Sequence, residues 1–144
     1  MNFKFPLIAA FVAMTCLTAC GGGADAPVGE SPAQASMIEV GVGTGALAAS
    51  GKTVKVHYTG WLYTTKVTNN KGTQFDSSSG KPALEFKLGN NEVITGFDQG
   101  VTGMKVGGKR TIIMTAAQAY GSQGRSGIPA NSGLVFDVEL MEVK

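Results

Sequence analysis

The chain has 144 residues, of which 43% are hydrophobic, and its formal net charge is +2. That length suits one domain of about 100 residues with accessory segments. The basic residues are scattered along the chain, so no nucleic-acid partner and no membrane-binding patch are indicated. The 21 glycines favour a turn-rich β or α+β fold over a helical bundle.

The N-terminus has the pattern of a targeting segment. Lys4 supplies a positive charge, and the apolar run Phe5–Leu17 is too short to cross a bilayer as a helix but suits the core of a signal peptide. The run ends in Leu17-Thr18-Ala19-Cys20-Gly21, which resembles the lipobox of bacterial lipoproteins. The resemblance implies a signal peptide over residues 1–19, cleavage before Cys20, and a membrane anchor of lipid on Cys20. The alternative is an ordinary secretory signal with an incidental cysteine.

The lipoprotein interpretation also predicts a location in the bacterial cell envelope. Gly21 rather than an aspartate follows the cysteine, and the sorting rule of such lipoproteins then implies the outer membrane of a Gram-negative cell. Cys16 leaves with the signal peptide, so the mature chain has no thiol for a disulfide. Residues 20–36 are predicted to be the lipidated cysteine and a flexible tether, because they contain almost nothing to bury.

Residues 37–144 are predicted to form the folded domain, most of it as strands. In Thr53–Tyr63, Val54, Val56 and Tyr58 share one face, and Gly60 interrupts the strand as at a bulge or a close backbone approach. The predicted strands are Met37–Val42, Thr53–Tyr63, Thr73–Asp76, Ala83–Leu88, Arg110–Thr115 and Leu134–Val143. A polar hairpin loop over residues 64–72 and a Gly- and Ser-rich loop over residues 116–131 connect them.

One short helix is predicted over Glu92–Val101, with Asn91 as its N-cap. Its apolar residues, Val93, Ile94, Phe97 and Val101, fall on one face. Gly96 and Gly100 each cost about 1 kcal/mol relative to Ala, so the helix must pack on a sheet to form, and the two glycines would allow a close approach. The sequence thus predicts an α+β fold with five to six strands and one helix.

Two other patterns in the sequence bear on possible sites. Residues 103–109 fit G-x-x-x-x-G-K, but Arg110 stands where a phosphate-binding loop needs Ser or Thr, and a helix rather than a strand precedes it. His57 is the only histidine. Without thiolates or a G-x-S-x-G elbow beside it, His57 indicates neither a metal site nor a serine-type triad, and a structural role is predicted. No metal and no cofactor are expected.

Five motifs in order resemble those of the FKBP-type peptidyl-prolyl cis-trans isomerases. They are Val56-His57-Tyr58-Thr59-Gly60, Phe75-Asp76-Ser77-Ser78, Glu92-Val93-Ile94-x-Gly96-Phe97, Ala119-Tyr120-Gly121 and Leu134-Val135-Phe136-Asp137-Val138-Glu139-Leu140. The resemblance covers about residues 37–144. It implies a twisted antiparallel sheet wrapped around one short helix, with the active pocket between them.

The resemblance also assigns roles to residues. It implies that Asp76, Tyr120 and Phe136 are catalytic, and that Tyr58, Phe75, Val93, Ile94, Phe97 and Ile128 bind substrate. Val93 and Ile94 would belong to the turn that leads into the helix and form the rim, with the Ile94 N–H donating to a substrate carbonyl. Ile128 would cap the site. Phe97 stands where the family often has Trp. The loop from Tyr120 to Leu134 is slightly short and carries Arg125 near its tip.

The implied activity is isomerisation of X-Pro bonds in exported or unfolded polypeptides. The expected ligands are proline-containing chains and macrolide inhibitors of the FKBP-ligand type. The chemistry needs no nucleophile, because rotation about a peptide bond breaks no bond. An alternative is a chaperone or peptide-binding module that uses the same pocket with incidental turnover.

Overall fold

Six antiparallel strands form one sheet, and the computed structural model describes it within residues 29–144. The strands are β1 Ser36–Gly41, β2 Thr53–Tyr63, β3 Lys71–Ser77, β4 Leu84–Lys87, β5 Lys109–Met114 and β6 Leu134–Val143. The helix α1 is Thr95–Val101, and a short 3₁₀ helix is Ala116–Gln118. The predicted α+β architecture of six strands and one helix is confirmed.

The long strand β2 is the centre of the sheet. The order is β1-β5-β6-β2-β3, and β4 also pairs with β2. The first half of β2 pairs with β4, the second half with β3, and nearly its whole length pairs with β6 on the other side. Val54 and Val56 of β2 are fully buried, as the alternation predicts. The pairing of β2 with β3 shifts register between Gly60 and Trp61, as at a β-bulge.

Helix α1 packs on β5 through its two glycines. An ideal Cβ on Gly100 would lie 2.4 Å from Cδ1 of Ile112, and one on Gly96 would lie 2.8 Å from Cβ of Met114. Both glycines are buried. The close approach brings Phe97 and Val101 into the core, where they are 3% and 0% exposed. The short helix is therefore stabilised by tertiary packing, which its composition requires.

The start of the helix that apolar spacing predicts was wrong, whereas the placement of Val93 and Ile94 in the turn before the helix agrees with the structure. The helix begins at Thr95, and Ile94 rather than Asn91 is its N-cap. Asn91 has a φ of 53°, in the left-handed region, and so belongs to a turn. The Glu92 carboxylate accepts hydrogen bonds from the Lys87 N–H and the Asn90 side chain. These bonds hold residues 90–94 as a turn ahead of the helix.

Other bounds also differ from the prediction. Strand β3 begins at Lys71, inside the predicted hairpin loop, and ends at Ser77. The 3₁₀ helix lies in the predicted 116–131 loop, where Thr115 and Gln118 form a capping box.

Residues 29–32, part of the predicted tether, contact the domain. Gly29 N–H donates to the Ala130 carbonyl at 2.9 Å, and Gly133 N–H donates to the Glu30 carbonyl at 2.8 Å. Ser31 Oγ accepts from Ala116 N–H at 2.9 Å. We call residues 29–32 the N-terminal strap. It joins both ends of the loop between the 3₁₀ helix and β6.

The predicted signal peptide, Cys20 and the first part of the tether lie outside the described residues. Within residues 29–144, no helix has the length and apolar character needed to span a bilayer.

Candidate active site

A pocket of about 560 Å³ lies between the sheet and the start of α1. Its walls come from β2, β3, β4, the turn before α1, α1 itself, the loop after the 3₁₀ helix, and β6. The lining residues are Tyr58, Phe75, Asp76, Leu84, Asn91, Glu92, Val93, Ile94, Phe97, Tyr120, Arg125 and Phe136.

Four aromatic rings form the inner surface of this pocket. The Phe97 and Phe136 rings have centroids 5.1 Å apart and meet edge to face at 79°. Phe75 meets Phe136 in the same way at 5.6 Å, and Tyr58 meets Phe97 at 5.8 Å. Each edge-to-face contact fixes the orientation of both rings. The pocket therefore presents a preformed apolar surface of defined shape.

Gly60 makes room for two of these rings. A Cβ at this position would lie 2.7 Å from Cε1 of Phe136 and 2.7 Å from Cζ of Phe75. Gly60 is itself buried, opposite Phe136 in the sheet. It was not among the candidate site residues. In the sequence, Gly60 interrupts the alternating pattern of β2, which indicated that another group approaches the backbone closely there. The pattern did not show that this group is the pair of rings from Phe75 and Phe136.

Tyr58 and Asp76 form the polar edge of the pocket. The Tyr58 hydroxyl donates to Oδ2 of Asp76 at 2.7 Å, and Oδ1 of Asp76 accepts from Ser77 N–H at 2.8 Å. Burial, and then the hydrogen bond to Asp76, raises the pKa of Tyr58 to about 12. The phenol therefore keeps its proton at neutral pH and holds Asp76 in place.

The rim of the pocket exposes a backbone donor. The Ile94 carbonyl accepts from Phe97 N–H at 3.0 Å and from Asp98 N–H at 3.1 Å, which closes the first turn of α1. Among residues 29–144, no acceptor is bonded to the Ile94 N–H itself. Val93 and Ile94 are both half-buried and line the pocket. The Ile94 N–H is thus available to a ligand.

The loop after the 3₁₀ helix covers one side of the pocket. The Arg125 guanidinium donates to the Tyr120 hydroxyl at 3.1 Å and lies 5.4 Å from the Tyr120 ring centroid. Ile128 is 5% exposed and belongs to the hydrophobic core. It is not a lining residue.

The structure brings together every predicted catalytic and substrate-binding residue except Ile128. Those brought together are Tyr58, Phe75, Asp76, Val93, Ile94, Phe97, Tyr120 and Phe136. Leu84, Asn91, Glu92 and Arg125 also line the pocket, although they were not among the predicted catalytic and substrate-binding residues. Polar residues in loops follow no periodic pattern that would indicate which way they face. Of these polar residues, only Arg125 could have been predicted to line the pocket, because it lies near the tip of a loop expected to overhang the site.

His57 lies on the opposite face of the sheet. Its Nδ1 is 2.9 Å from Oγ of Ser78, whose hydroxyl also accepts from Tyr58 N–H at 2.8 Å. His57, Asp137 and Glu139 line a second hollow of about 540 Å³ there. Over the described range 29–144, no three His, Cys, Asp or Glu side chains are grouped as a metal site would require.

Comparison with known proteins agrees with this geometry. The family model for "FKBP-type peptidyl-prolyl cis-trans isomerase" matches residues 45–141. The chain is 43% identical over 123 residues to an FK506-binding protein of Streptomyces anulatus. The matched region covers 83% of this chain and 94% of that protein. It is 47% identical over 110 residues to the 46 kDa FK506-binding nuclear protein of Spodoptera frugiperda, covering 76% of this chain and 25% of that one.

A solved structure shows the same fold. The crystal structure of AtFKBP13 matches with a TM-score of 0.64 and 36% identity, over 79% of this chain and 96% of that one. The chain spans a quarter or less of the length of several curated relatives, and nearly the full length of others. Because the family model matches more than half of the chain, this chain belongs to the FKBP-type peptidyl-prolyl cis-trans isomerase family.

Proposed function

We propose that the chain catalyses cis-trans isomerisation of X-Pro bonds in exported or unfolded polypeptides. The observation that carries the proposal is the pocket of four aromatic rings with the uncommitted Ile94 N–H at its rim. A proline ring is flat and apolar enough to enter such a pocket, and the backbone around it supplies carbonyl acceptors for the rim donor.

The barrier to be lowered is that of amide rotation, about 18–20 kcal/mol. It arises from resonance, which places charge on the planar amide. The twisted amide has lost that charge separation, so an apolar and water-poor pocket favours it relative to the planar form. Lowering the barrier by about 5–7 kcal/mol would accelerate rotation roughly 10⁴- to 10⁵-fold.

Seven of the lining residues have a role in the proposed mechanism. Phe97 supports the proline ring, and Phe136 and Phe75 enclose it. The Ile94 N–H binds a substrate carbonyl and fixes one side of the rotating bond. Tyr58 holds Asp76 in place, while Tyr120 contributes a hydroxyl on the other side. No covalent intermediate is formed, and no metal or cofactor takes part.

The test is the rate of cis-trans interconversion of a proline-containing test peptide. The wild-type chain should accelerate it, Phe136→Ala should lose the acceleration, and a macrolide of the FKBP-ligand type should suppress it. A wild type as inactive as Phe136→Ala would refute catalysis. If suppression of aggregation survives Asp76→Asn and Tyr120→Phe while peptide turnover does not, the chaperone alternative gains support.

We further propose that the protein is anchored in the bacterial cell envelope by lipid on Cys20. The support is the sequence from Leu17 to Gly21 and the apolar run before it. When the full chain is expressed in a Gram-negative host with labelled fatty acid, wild type should take up label and sediment with outer membranes. Cys20→Ala should do neither. An unlabelled wild type in the soluble periplasmic fraction would refute the anchor.

A further inference from the structure

Among residues 29–144, Arg125 is the only cationic side chain that lines the pocket. Its guanidinium donates one hydrogen bond, to the Tyr120 hydroxyl at 3.1 Å, and stacks over the Tyr120 ring. A guanidinium has five N–H donors, so most of them remain for a ligand. The side chain is exposed at the mouth of the pocket, where a bound peptide must enter and leave.

The backbone at Arg125 is held firmly for a loop residue. Arg125 N–H donates to the Ile128 carbonyl at 2.9 Å, and Ile128 N–H donates to the Arg125 carbonyl at 2.8 Å. Ile128 is buried in the core and secures this tight turn. Gly124, with a φ of 63°, lies so close that a Cβ would be 2.6 Å from the Ile128 carbonyl oxygen. The predicted cap, Ile128, thus fixes the position of Arg125.

The other two charged groups of the pocket, Asp76 and Glu92, each accept two hydrogen bonds within the domain. Asp76 accepts from the Tyr58 hydroxyl and from Ser77 N–H. Glu92 accepts from Lys87 N–H and from the Asn90 amide. Within residues 29–144, by contrast, no carboxylate lies within ion-pair distance of Arg125. Of the three charged groups, Arg125 alone carries N–H donors, so it is the group of this pocket that a ligand carboxylate can bond.

We propose that Arg125 gives this chain a preference for substrates with an acidic side chain next to the proline. The proposal rests on the proposed isomerase function. Residues of an extended peptide follow each other at about 3.3 Å, so a Glu or Asp adjacent to a proline in the pocket lies at its mouth. A carboxylate there can form a bidentate pair with the guanidinium, which a neutral side chain cannot.

The experiment compares matched test peptides on the purified full-length protein. One series changes only the residue before proline, with Glu, Gln, Leu and Lys, and a second series changes only the residue after it. The measured quantity is the Glu-to-Gln ratio of kcat/KM at low salt. Because both peptides meet the same enzyme, any general loss of activity cancels in this ratio.

We expect a wild-type ratio of about two- to fivefold in at least one series, the range for an exposed ion pair. The ratio should fall to about one in Arg125→Gln and in wild type at about 1 M salt. Arg125→Lys, which keeps the charge, should retain part of it. Lys52→Gln removes an exposed charge outside the pocket, and its ratio should match that of wild type.

A wild-type ratio at or below one in both series would overturn the proposal, as would an unchanged ratio in Arg125→Gln. If the enzyme still accelerates isomerisation of the peptides, either result overturns only the preference and does not contradict the isomerase function. Failure to accelerate any peptide, including the Leu peptides, would instead refute the isomerase function and the preference with it.

Discussion

The hydroxyl of Tyr58 donates a 2.7 Å hydrogen bond to Oδ2 of Asp76, and this contact joins β2 to β3 at the edge of the pocket. Asp76 stands opposite Gly60 in the same strand pair. The polar edge and the close approach of the aromatic rings therefore depend on one short stretch of β2.

The Tyr58–Asp76 contact should delay ionisation of Tyr58. Burial, and then the hydrogen bond to Asp76, raises the pKa of Tyr58 to about 12, against about 10 for a free tyrosine. A spectrophotometric titration of the three tyrosines should show one late step, which Tyr58→Phe removes. Because folding raises this pKa, the stabilisation is complete below about pH 10 and is lost as pH rises through about 12. A late step that survives Tyr58→Phe would contradict the assignment.

Gly60→Ala should damage the pocket. The new methyl group would lie 2.7 Å from the rings of Phe75 and Phe136, so both rings must move. We expect a loss of about 1–3 kcal/mol in the free energy of unfolding, measured with denaturant, together with slower peptide isomerisation. Gly41→Ala in β1 is the control, because a Cβ there meets nothing within 4 Å. Equal effects of the two substitutions would show that the close approach is unimportant.

Gly100→Ala should destabilise the fold although alanine is the better helix former. Alanine would gain about 1 kcal/mol in helix propensity, but its methyl group would lie 2.4 Å from Cδ1 of Ile112. We expect a net loss of about 1–3 kcal/mol on denaturant unfolding. With Ile112→Ala in the same chain, the combined loss should be smaller than the sum of the two single losses. A Gly100→Ala protein more stable than wild type would refute the proposed packing of α1 on β5.

Removing the N-terminal strap should loosen the loop that carries Tyr120 and Arg125. The strap contributes three hydrogen bonds to or from backbone groups at both ends of that loop, each worth about 0.5–1.5 kcal/mol. A fragment that starts at Ala33 should be less stable than one that starts at Gly29, by about 1.5–4.5 kcal/mol. Amide hydrogens of residues 119–133 should also exchange faster in the shorter fragment. Identical exchange in the two fragments would show that the strap does not order the loop.

The Glu30 carboxylate adds a pH dependence to this comparison. The hydrogen bond from Thr65 N–H lowers the pKa of Glu30 below its ordinary value. A lowered pKa in the folded state means that its stabilisation is present above about pH 4 and is lost as the carboxylate is protonated. The difference in the free energy of unfolding between the two fragments should therefore become smaller in acid. With Glu30→Gln in the longer fragment, the difference should no longer depend on pH in this range.

Regular alternation made parts of the fold predictable. Strands β2 and β6 have the bounds that the sequence predicts. Alternate residues are buried in the first part of β2 and in β6 from Phe136 to Leu140, whereas the first three residues of β6 are all buried. The start of α1 was not predictable in the same way. Val93 and Ile94 fit the helical face, but Asn91 has a φ of 53°, in the left-handed region, and the chain turns before α1 begins at Thr95. The spacing of apolar residues cannot distinguish a turn of helix from a loop whose apolar side chains are buried.

The candidate site was predictable where a motif identified it. The aromatic residues, Val93 and Ile94 came from recognised motifs, and they surround one pocket. The motifs did not predict the positions of Ile128 and Arg125 correctly: Ile128 is buried in the core, and Arg125 lines the pocket. The tight turn from Arg125 to Ile128, together with Gly124, determines which of the two side chains faces the pocket. The composition of the loop does not predict such a turn.

The central claim is that the aromatic pocket accelerates X-Pro rotation. The most direct test compares proline-peptide isomerisation by wild type, Phe136→Leu and Phe86→Leu. Phe136 and Phe86 are similarly buried, at 5% and 3% exposed, and both rings pack on Phe97, but only Phe136 lines the pocket. We predict that Phe136→Leu loses about 10- to 100-fold in kcat/KM, equivalent to about 1.4–2.8 kcal/mol, while Phe86→Leu loses far less. Equal losses in the two variants, or no acceleration by wild type, would contradict the account.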